Sequence, residues 1–146
     1  NREELATILE RTTKGISIQP DTVMDGREIQ EWQQLVRKVI LADHLQDYIV
    51  RLNLATHPEG EFAPKVTNDY LRWGASPRGA QTVALASKVR ALLAGRFNVS
   101  FEDIRRAYLP AMRHRVVPNF EAQAEGITSD QVLLEILDQV PQKVDE

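Results

Sequence analysis

The stretch Trp73-Gly74-Ala75-Ser76-Pro77-Arg78-Gly79-Ala80-Gln81 gathers the residues of this chain whose types and spacing best suit chemistry. Ser76 fits the N-cap of a helix, and Pro77 fits its first position, where the missing N–H costs nothing. Arg78 then falls at the second helical position and Gly79 at the third. A cation there opposes the helix macrodipole by about 0.3–1 kcal/mol, and helix-building rules prefer Asp or Glu. The mismatch disappears if an anion sits at the helix N-terminus, where free backbone N–H groups and the guanidinium converge on it. Gly79 would let a backbone or a ligand come close. The competing reading is an exposed arginine reaching toward the acidic N-terminal helices, and stereochemistry alone leaves both open.

A second cationic knot, Arg113-His114-Arg115, lies at the far end of a later helix. Cations at a helix C-terminus satisfy the dipole without a ligand, so a structural role is favoured, with Arg113 kept as a minor phosphate or core-domain contact. His44, His57 and His114 are far apart and lack partners at helical spacing, so no metal site is expected. Glu121 and Glu125 lie one turn apart and read as a solvated face rather than an acid–base pair. None of the five lysines follows a glycine, so no phosphate-binding loop of the Gly-Lys-Ser/Thr kind is present. The only Asp-Glu pair is Asp145-Glu146, at the end of the chain. These residues cannot cradle and hydrolyse a nucleotide alone.

The elements that must position these groups are helical throughout. Leu5, Ile8 and Leu9 predict a short amphipathic helix behind Asn1, with Glu3 and Glu4 favourably placed in its first turn. Lys14–Thr22 holds Gly15 and Pro20 and the alternation Ile16, Ile18, which reads as an extended connector. Asp25 and Glu28 form a capping box ahead of Ile29, Trp32, Leu35, Val36 and Val39. Asp43 starts a helix carrying Leu45, Tyr48, Ile49 and Leu52, which stops before Pro58. Pro64 opens a short helix through Trp73. The longest helix runs from Ser76-Pro77 to Gly95, and its small inner residues Ala80, Ala84, Ser87, Ala91 and Ala94, with Val83, Leu92 and Leu93 beside them, mark it as central. Ser100 to Asp103 caps the next helix, which Pro110 should kink or end early. Thr128 to Gln131 caps the last, which stops at Pro141. Trp32 and Trp73 sit at core spacings. The expected fold is an all-α bundle of about six helices with an extended connector near the N-terminus.

The 146 residues fit one domain with a real core, 42% hydrophobic and 27% charged. The absence of cysteine excludes disulfides, thiolate metal clusters and cysteine nucleophiles, and makes a cytoplasmic location the default. No apolar run approaches the ~18 residues of a membrane span, and the polar start Asn1–Glu4 does not resemble a secretory signal. Charge is uneven along the chain. Residues 1–63 carry 7 basic and 11 acidic side chains, residues 64–118 carry 10 and 3, and residues 119–146 carry 1 and 7. A positive middle between acidic ends implies internal ion pairing or an anion-binding face.

At Gly74–Ala80 the chain resembles the C-terminal helical lid of MoxR-family AAA+ ATPases. The resemblance covers nearly the whole chain. It runs through Glu4-Leu5 to Arg11-Thr12, Leu35-Val36-Arg37-Lys38-Val39, Tyr48-Ile49-Val50-Arg51-Leu52 and Tyr70-Leu71-Arg72-Trp73-Gly74-Ala75-Ser76-Pro77-Arg78. It continues with Arg113-His114-Arg115-Val116 and Ala124-Glu125-Gly126-Ile127-Thr128. The ordered series, above all W-G-A-S-P-R followed by R-H-R, is its most specific part. The sequence departs from the family pattern at Ala42, where a hydroxyl cap is expected, and at Asn53-Leu54 and His57, which puts a lid–core contact through that helix in doubt.

The resemblance implies a helix over residues 1–13 leading out of a nucleotide-binding core and a single helical lid over residues 14–146. It implies ATP and magnesium held mainly by that core, with none bound by these residues alone. Arg78 matches the sensor 2 arginine that reaches the γ-phosphate, with Ser76, Pro77 and Gly79 beside it. It also implies a ring of neighbouring subunits, a hexamer, acting as a chaperone on other complexes with partners bearing von Willebrand factor A domains. Two other readings compete. One is a nucleotide-independent docking domain. The other is a DNA-binding module built on residues 64–118, which ranks lower because the helix after Ser76 is alanine-rich rather than lined with exposed basic and amide side chains.

Overall fold

Side-chain caps set where five of the helices begin. The computed structural model describes residues 1–15 and 19–142. Among them the order is α1 (Arg2–Thr13), α2 (Gly26–Lys38), α3 (Asp43–Leu54), α4 (Lys65–Tyr70), β1 (Leu71–Trp73), α5 (Pro77–Leu93), α6 (Phe101–Met112), β2 (Val117–Pro118), α7 (Phe120–Glu125) and α8 (Ser129–Gln139). The all-α expectation holds, with eight helices among the described residues rather than about six. The extra count comes from short pieces such as the six-residue α7, which Asn119 starts by accepting the Ala122 N–H at 2.9 Å and Gly126 ends at φ +72°.

The chain divides into two units, Asn1–Glu31 and Trp32–Glu146. In the first, the Asn1 side chain accepts the Glu4 N–H at 2.9 Å and the Glu4 carboxylate reaches back to the amino terminus, a complete capping box. Leu5, Ile8 and Leu9 of α1 are exposed. The Asp25/Glu28 box forms as the sequence predicts, each carboxylate accepting the other residue's N–H at 2.8–2.9 Å. The alternation Ile16, Ile18 lies outside the described residues.

In the second unit, Tyr48 and Leu52 of α3, Val83 of α5, Ile104, Tyr108 and Met112 of α6, and Leu133 and Ile136 of α8 make a continuous core, each under 2% exposed. Helix α5 lies against α6 and α3, and α6 against α8. The buried line of α5 is Gly79, Val83, Ser87 and Ala91, four residues apart. Such small side chains let two helices approach it closely. Ser87 returns its hydroxyl to the Val83 carbonyl at 2.7 Å, so its burial leaves no unpaired donor.

Four expectations need correction. Leu93 and Ala94 do not join the inner line of α5; both are exposed, Leu93 by 84%. Trp32 and Trp73, placed in the core by their spacing, are both exposed. The helix after Pro64 stops at Tyr70, because the next residues pair antiparallel with β2, Leu71 opposite Pro118 and Trp73 opposite Val117. The carbonyls of Tyr70 and Asp69 are taken by the N–H and side-chain amide of Asn119, at 2.9 and 2.7 Å. Of the kink or early end expected at Pro110, the early end does not occur. The proline sits in the last turn, where its missing N–H removes one hydrogen bond, and the buried Ala111 and Met112 follow it as helix.

Candidate functional site

The start of α5 is assembled from three directions. Ser76 is its N-cap in extended geometry, but its side chain accepts no N–H from the first turn. Pro77 is the first helical residue and has no N–H to offer. Arg78 follows on the exposed side, and among the described residues its guanidinium makes no ion pair. Ser76 and Pro77 are also exposed, whereas Gly79 is buried.

The two glycines bracketing this turn are there for space. A Cβ built on Gly74 would lie 2.6 Å from the Thr56 carbonyl oxygen and 2.8 Å from the His57 ring. One built on Gly79 would lie 2.9 Å from Met112 Sδ and 3.0 Å from Asn53 Oδ1. The close neighbours that Gly79 admits in this structure are thus protein atoms of α3 and α6.

The end of α3 grips the segment between them. Ala75, fully buried, donates its N–H to Thr56 Oγ1 at 2.9 Å. Its carbonyl accepts from Asn53 Nδ2 at 3.1 Å and from His57 Nε2 at 2.9 Å, which requires the tautomer protonated at Nε2. Thr56 in turn donates its hydroxyl to the Asn53 carbonyl at 2.6 Å. Asn53 lies in the last turn of α3, Thr56 and His57 in the turn that follows it, and Asn53 and Thr56 are buried. Nothing in the sequence showed that Ala75 was their target.

The second cationic knot is engaged. Arg113 pairs with Asp130 at 3.0 Å, half-exposed on both sides. Arg115 donates Nε to the Ala111 carbonyl at 3.0 Å and a terminal nitrogen to Thr82 Oγ1 at 3.2 Å. Thr82 donates a hydroxyl hydrogen bond to the Arg78 carbonyl at 2.7 Å, which ties the R-H-R segment to the first turn of α5. His114 is exposed, and His44 lies against Phe101 at 5.7 Å between ring centroids. Glu125 accepts from the Tyr70 hydroxyl at 2.8 Å. Among the described residues no three His, Cys, Asp or Glu side chains converge to hold a metal.

Much of the positive middle is neutralised internally. Arg96 grips Asp103 with two bonds of 2.8 and 2.9 Å, Arg105 reaches Asp138 at 2.8 Å, and Arg106 reaches Glu102 at 2.5 Å. Burial alone would raise the Asp103 carboxyl, but the hydrogen bonds from Arg96 and Ser100 outweigh it and hold it down at about 2. Among the described residues Arg78 makes no ion pair, and neither do Arg72, Arg90 and Arg115; of these four, Arg78 alone lies on the first turn of a helix.

The AAA lid domain family matches residues 64–136, half of the chain, including Gly74–Arg115 but not Asn53, Thr56 and His57. The chain belongs to that family. Its relatives include the chaperone MoxR1 of Mycobacterium tuberculosis, 25% identical over 84% of this chain, and the protein MoxR of Methylorubrum extorquens, 30% identical over 88%. The lid is of the MoxR type. It spans about a third of the length of these curated relatives, 32% in each case. A crystal structure of a Cytophaga hutchinsonii protein assigned as an ATPase superposes on 97% of the lid and 43% of its own chain. That match has a TM-score of 0.80 and 27% identity. No helix among the described residues of the lid is long and apolar enough to cross a membrane.

Proposed function

We propose that this lid closes over ATP held by a nucleotide-binding core of the same protein, and that Arg78 is the sensor 2 arginine contacting the γ-phosphate. The observation that carries this reading is an exposed guanidinium, unpaired among the described residues, on the first turn of a helix whose N-cap side chain takes none of its N–H groups. Such a turn offers an anion both the dipole and the fork of an arginine. In phosphoryl transfer the charge spreads over the γ-phosphate oxygens, so a guanidinium fixed there stabilises the transition state as well as the bound nucleotide. Magnesium belongs to the core, and no step through it falls to these residues.

Hydrolysis and phosphate release remove the anchor. Because the start of α5 is bonded to α3 and packed on α6, the lid then turns as a body and carries the motion to its neighbours. In this reading residues 1–13 lead from the core, and the lid belongs to a cytoplasmic hexameric ring that remodels or matures partner complexes with von Willebrand factor A proteins. The similarity to a protein named as a chaperone supports the remodelling part. A DNA-binding role is disfavoured, since Arg96, Arg105, Arg106 and Arg113 are all turned onto carboxylates. Partner docking is supported by the exposed Leu85, Val89 and Leu93 on α5 and is compatible with a lid.

Arg78→Ala in the intact ATPase tests the assignment. Turnover should fall by at least about 10²-fold at saturating ATP. Near-normal hydrolysis would overturn the role.

A further inference from the structure

Helix α5 begins without the device that starts α1, α6, α7 and α8, where Asn1, Ser100, Asn119 and Thr128 each accept an N–H of the first turn. Ser76 occupies the same position and accepts none. A hydroxyl that did so would compete with an anion for those N–H groups. The Gly79 N–H donates instead to the Ser76 backbone carbonyl at 2.7 Å, and the segment ahead of the helix is held by side chains from elsewhere. Both polar backbone atoms of Ala75, one residue ahead of the N-cap and three ahead of Arg78, are taken by the end of α3.

We propose that Asn53, Thr56 and His57 are positioning residues that hold Ala75 and thereby aim Arg78. Thr56 fixes the Ala75 N–H, while Asn53 and His57 together fix its carbonyl. Gly74 permits the approach, since a Cβ there would run into the Thr56 carbonyl oxygen. The three side chains act as a cap supplied from another helix. A guanidinium on a swinging turn would lose most of its value to a phosphoryl group, because misplacement by about 1 Å costs on the order of 10²-fold in rate. Asn53 also keeps its Oδ1 buried without a hydrogen-bond partner while its amide nitrogen serves Ala75. A position selected for packing alone would favour an apolar side chain there. The proposal rests on the sensor 2 reading for its catalytic consequence. The holding of residues 74–79 can be measured apart from it.

Two pairs of variants test it. Thr56→Val and His57→Leu remove the donor or acceptor with little change in volume, whereas Thr56→Ser and His57→Gln keep a hydroxyl and an N–H donor. In the 146-residue chain, exchange of the Ala75 amide should accelerate at least about tenfold in the first pair, and amide order parameters of residues 75, 76, 78 and 79 should drop from about 0.85 toward 0.6. In the intact ATPase the first pair should lower kcat by about 10- to 100-fold with KM for ATP changed far less. The second pair should restore most of both. Unchanged exchange and kcat in Thr56→Val and His57→Leu would overturn the proposal, as would equal losses in the conservative pair. If Thr56→Val fails to fold, the half-buried His57 decides the matter through its own pair. Arg78→Ala serves as the reference. Full activity in that variant sinks the sensor reading, while amide exchange still decides whether the α3 side chains hold the turn.

Discussion

Arg78 and Arg113 sit at opposite kinds of helix end, and their surroundings are opposite too. Arg113, at the C-terminal end of α6, has the favourable dipole and also a carboxylate, Asp130, at 3.0 Å. Arg78, on the first turn of α5, has the unfavourable dipole and, among the described residues, no ion pair. A cation with two local reasons to be where it is needs no ligand. A cation with none, held on a turn that another helix clamps, is what the proposed contact with an anion from outside the lid requires. The same contrast separates two serines: Ser100 caps α6 and exchanges bonds with Asp103, whereas Ser76 leaves α5 uncapped.

The largest expected effect tests the contrast directly. If the full-length protein hydrolyses ATP as proposed, Arg78→Ala in it should cost at least about 2.7 kcal/mol of transition-state stabilisation, the equivalent of the hundredfold loss. Arg113→Ala in the same enzyme should change turnover by less than about twofold, because its guanidinium is already spent on Asp130. Steady-state ATPase assays on the two variants side by side give the answer. Comparable losses would mean that both knots face the nucleotide.

Next in size is the space around the clamp. Gly74→Ala forces a Cβ to within 2.6 Å of a backbone carbonyl oxygen, which cannot step aside without moving the end of α3. The expected destabilisation is about 2–3 kcal/mol, read from the midpoint of urea unfolding. Gly79→Ala meets Met112 Sδ at 2.9 Å, and a flexible thioether can give way, so about 1–2 kcal/mol is expected. Should the order reverse, the tightest point of the junction lies against α6 rather than α3.

The cap at Ser100 is sensitive to acid through Asp103. Asp103 has its carboxyl at about 2 in the fold against an ordinary 3.8, so its ionised form is favoured by folding. The stability it adds is fully present above about pH 4 and is lost as pH falls through that value toward 2. The difference is worth about 2 kcal/mol. Asp103→Asn should remove a similar amount at neutral pH and flatten this part of the profile, measured as the unfolding midpoint between pH 6 and pH 2. Arg96 is about a third exposed, so its charge can rehydrate when the partner is gone. An unchanged acid limb in the variant would show that other carboxylates set it.

These contrasts mark what was legible in the sequence. The starts of α1, α2, α6 and α8 could be read because each is encoded within four residues, as in Thr128 with Gln131. Arg78 could be singled out because its conflict with the dipole is also local. The strand Leu71–Trp73 could not, since its apolar residues suit a helix equally well until Val117–Pro118 returns to pair with them. Trp32 and Trp73 misled for a related reason: spacing shows which residues share a face, and not whether that face is covered. The clamp from Asn53, Thr56 and His57 was hidden most completely. Its target lies beyond a loop, a short helix and a strand, and the target atoms belong to the backbone of an alanine, which carries no signal in its side chain.

The smallest effect probes the Arg113 side of the contrast. A half-exposed ion pair gains little, because water screens it and two side chains must be ordered to make it. A double-mutant cycle with Arg113→Ala and Asp130→Ala, followed by urea unfolding, should give a coupling of about 0.2–1 kcal/mol that shrinks in 1 M salt. Asp130 lies in the first turn of α8, so its single variant also loses a favourable dipole contact, and only the cycle separates the two. A coupling near zero would leave the dipole as the sole local reason for Arg113. Its charge would then be nearly as available as that of Arg78, and the distinction between the knots would rest on the clamp alone.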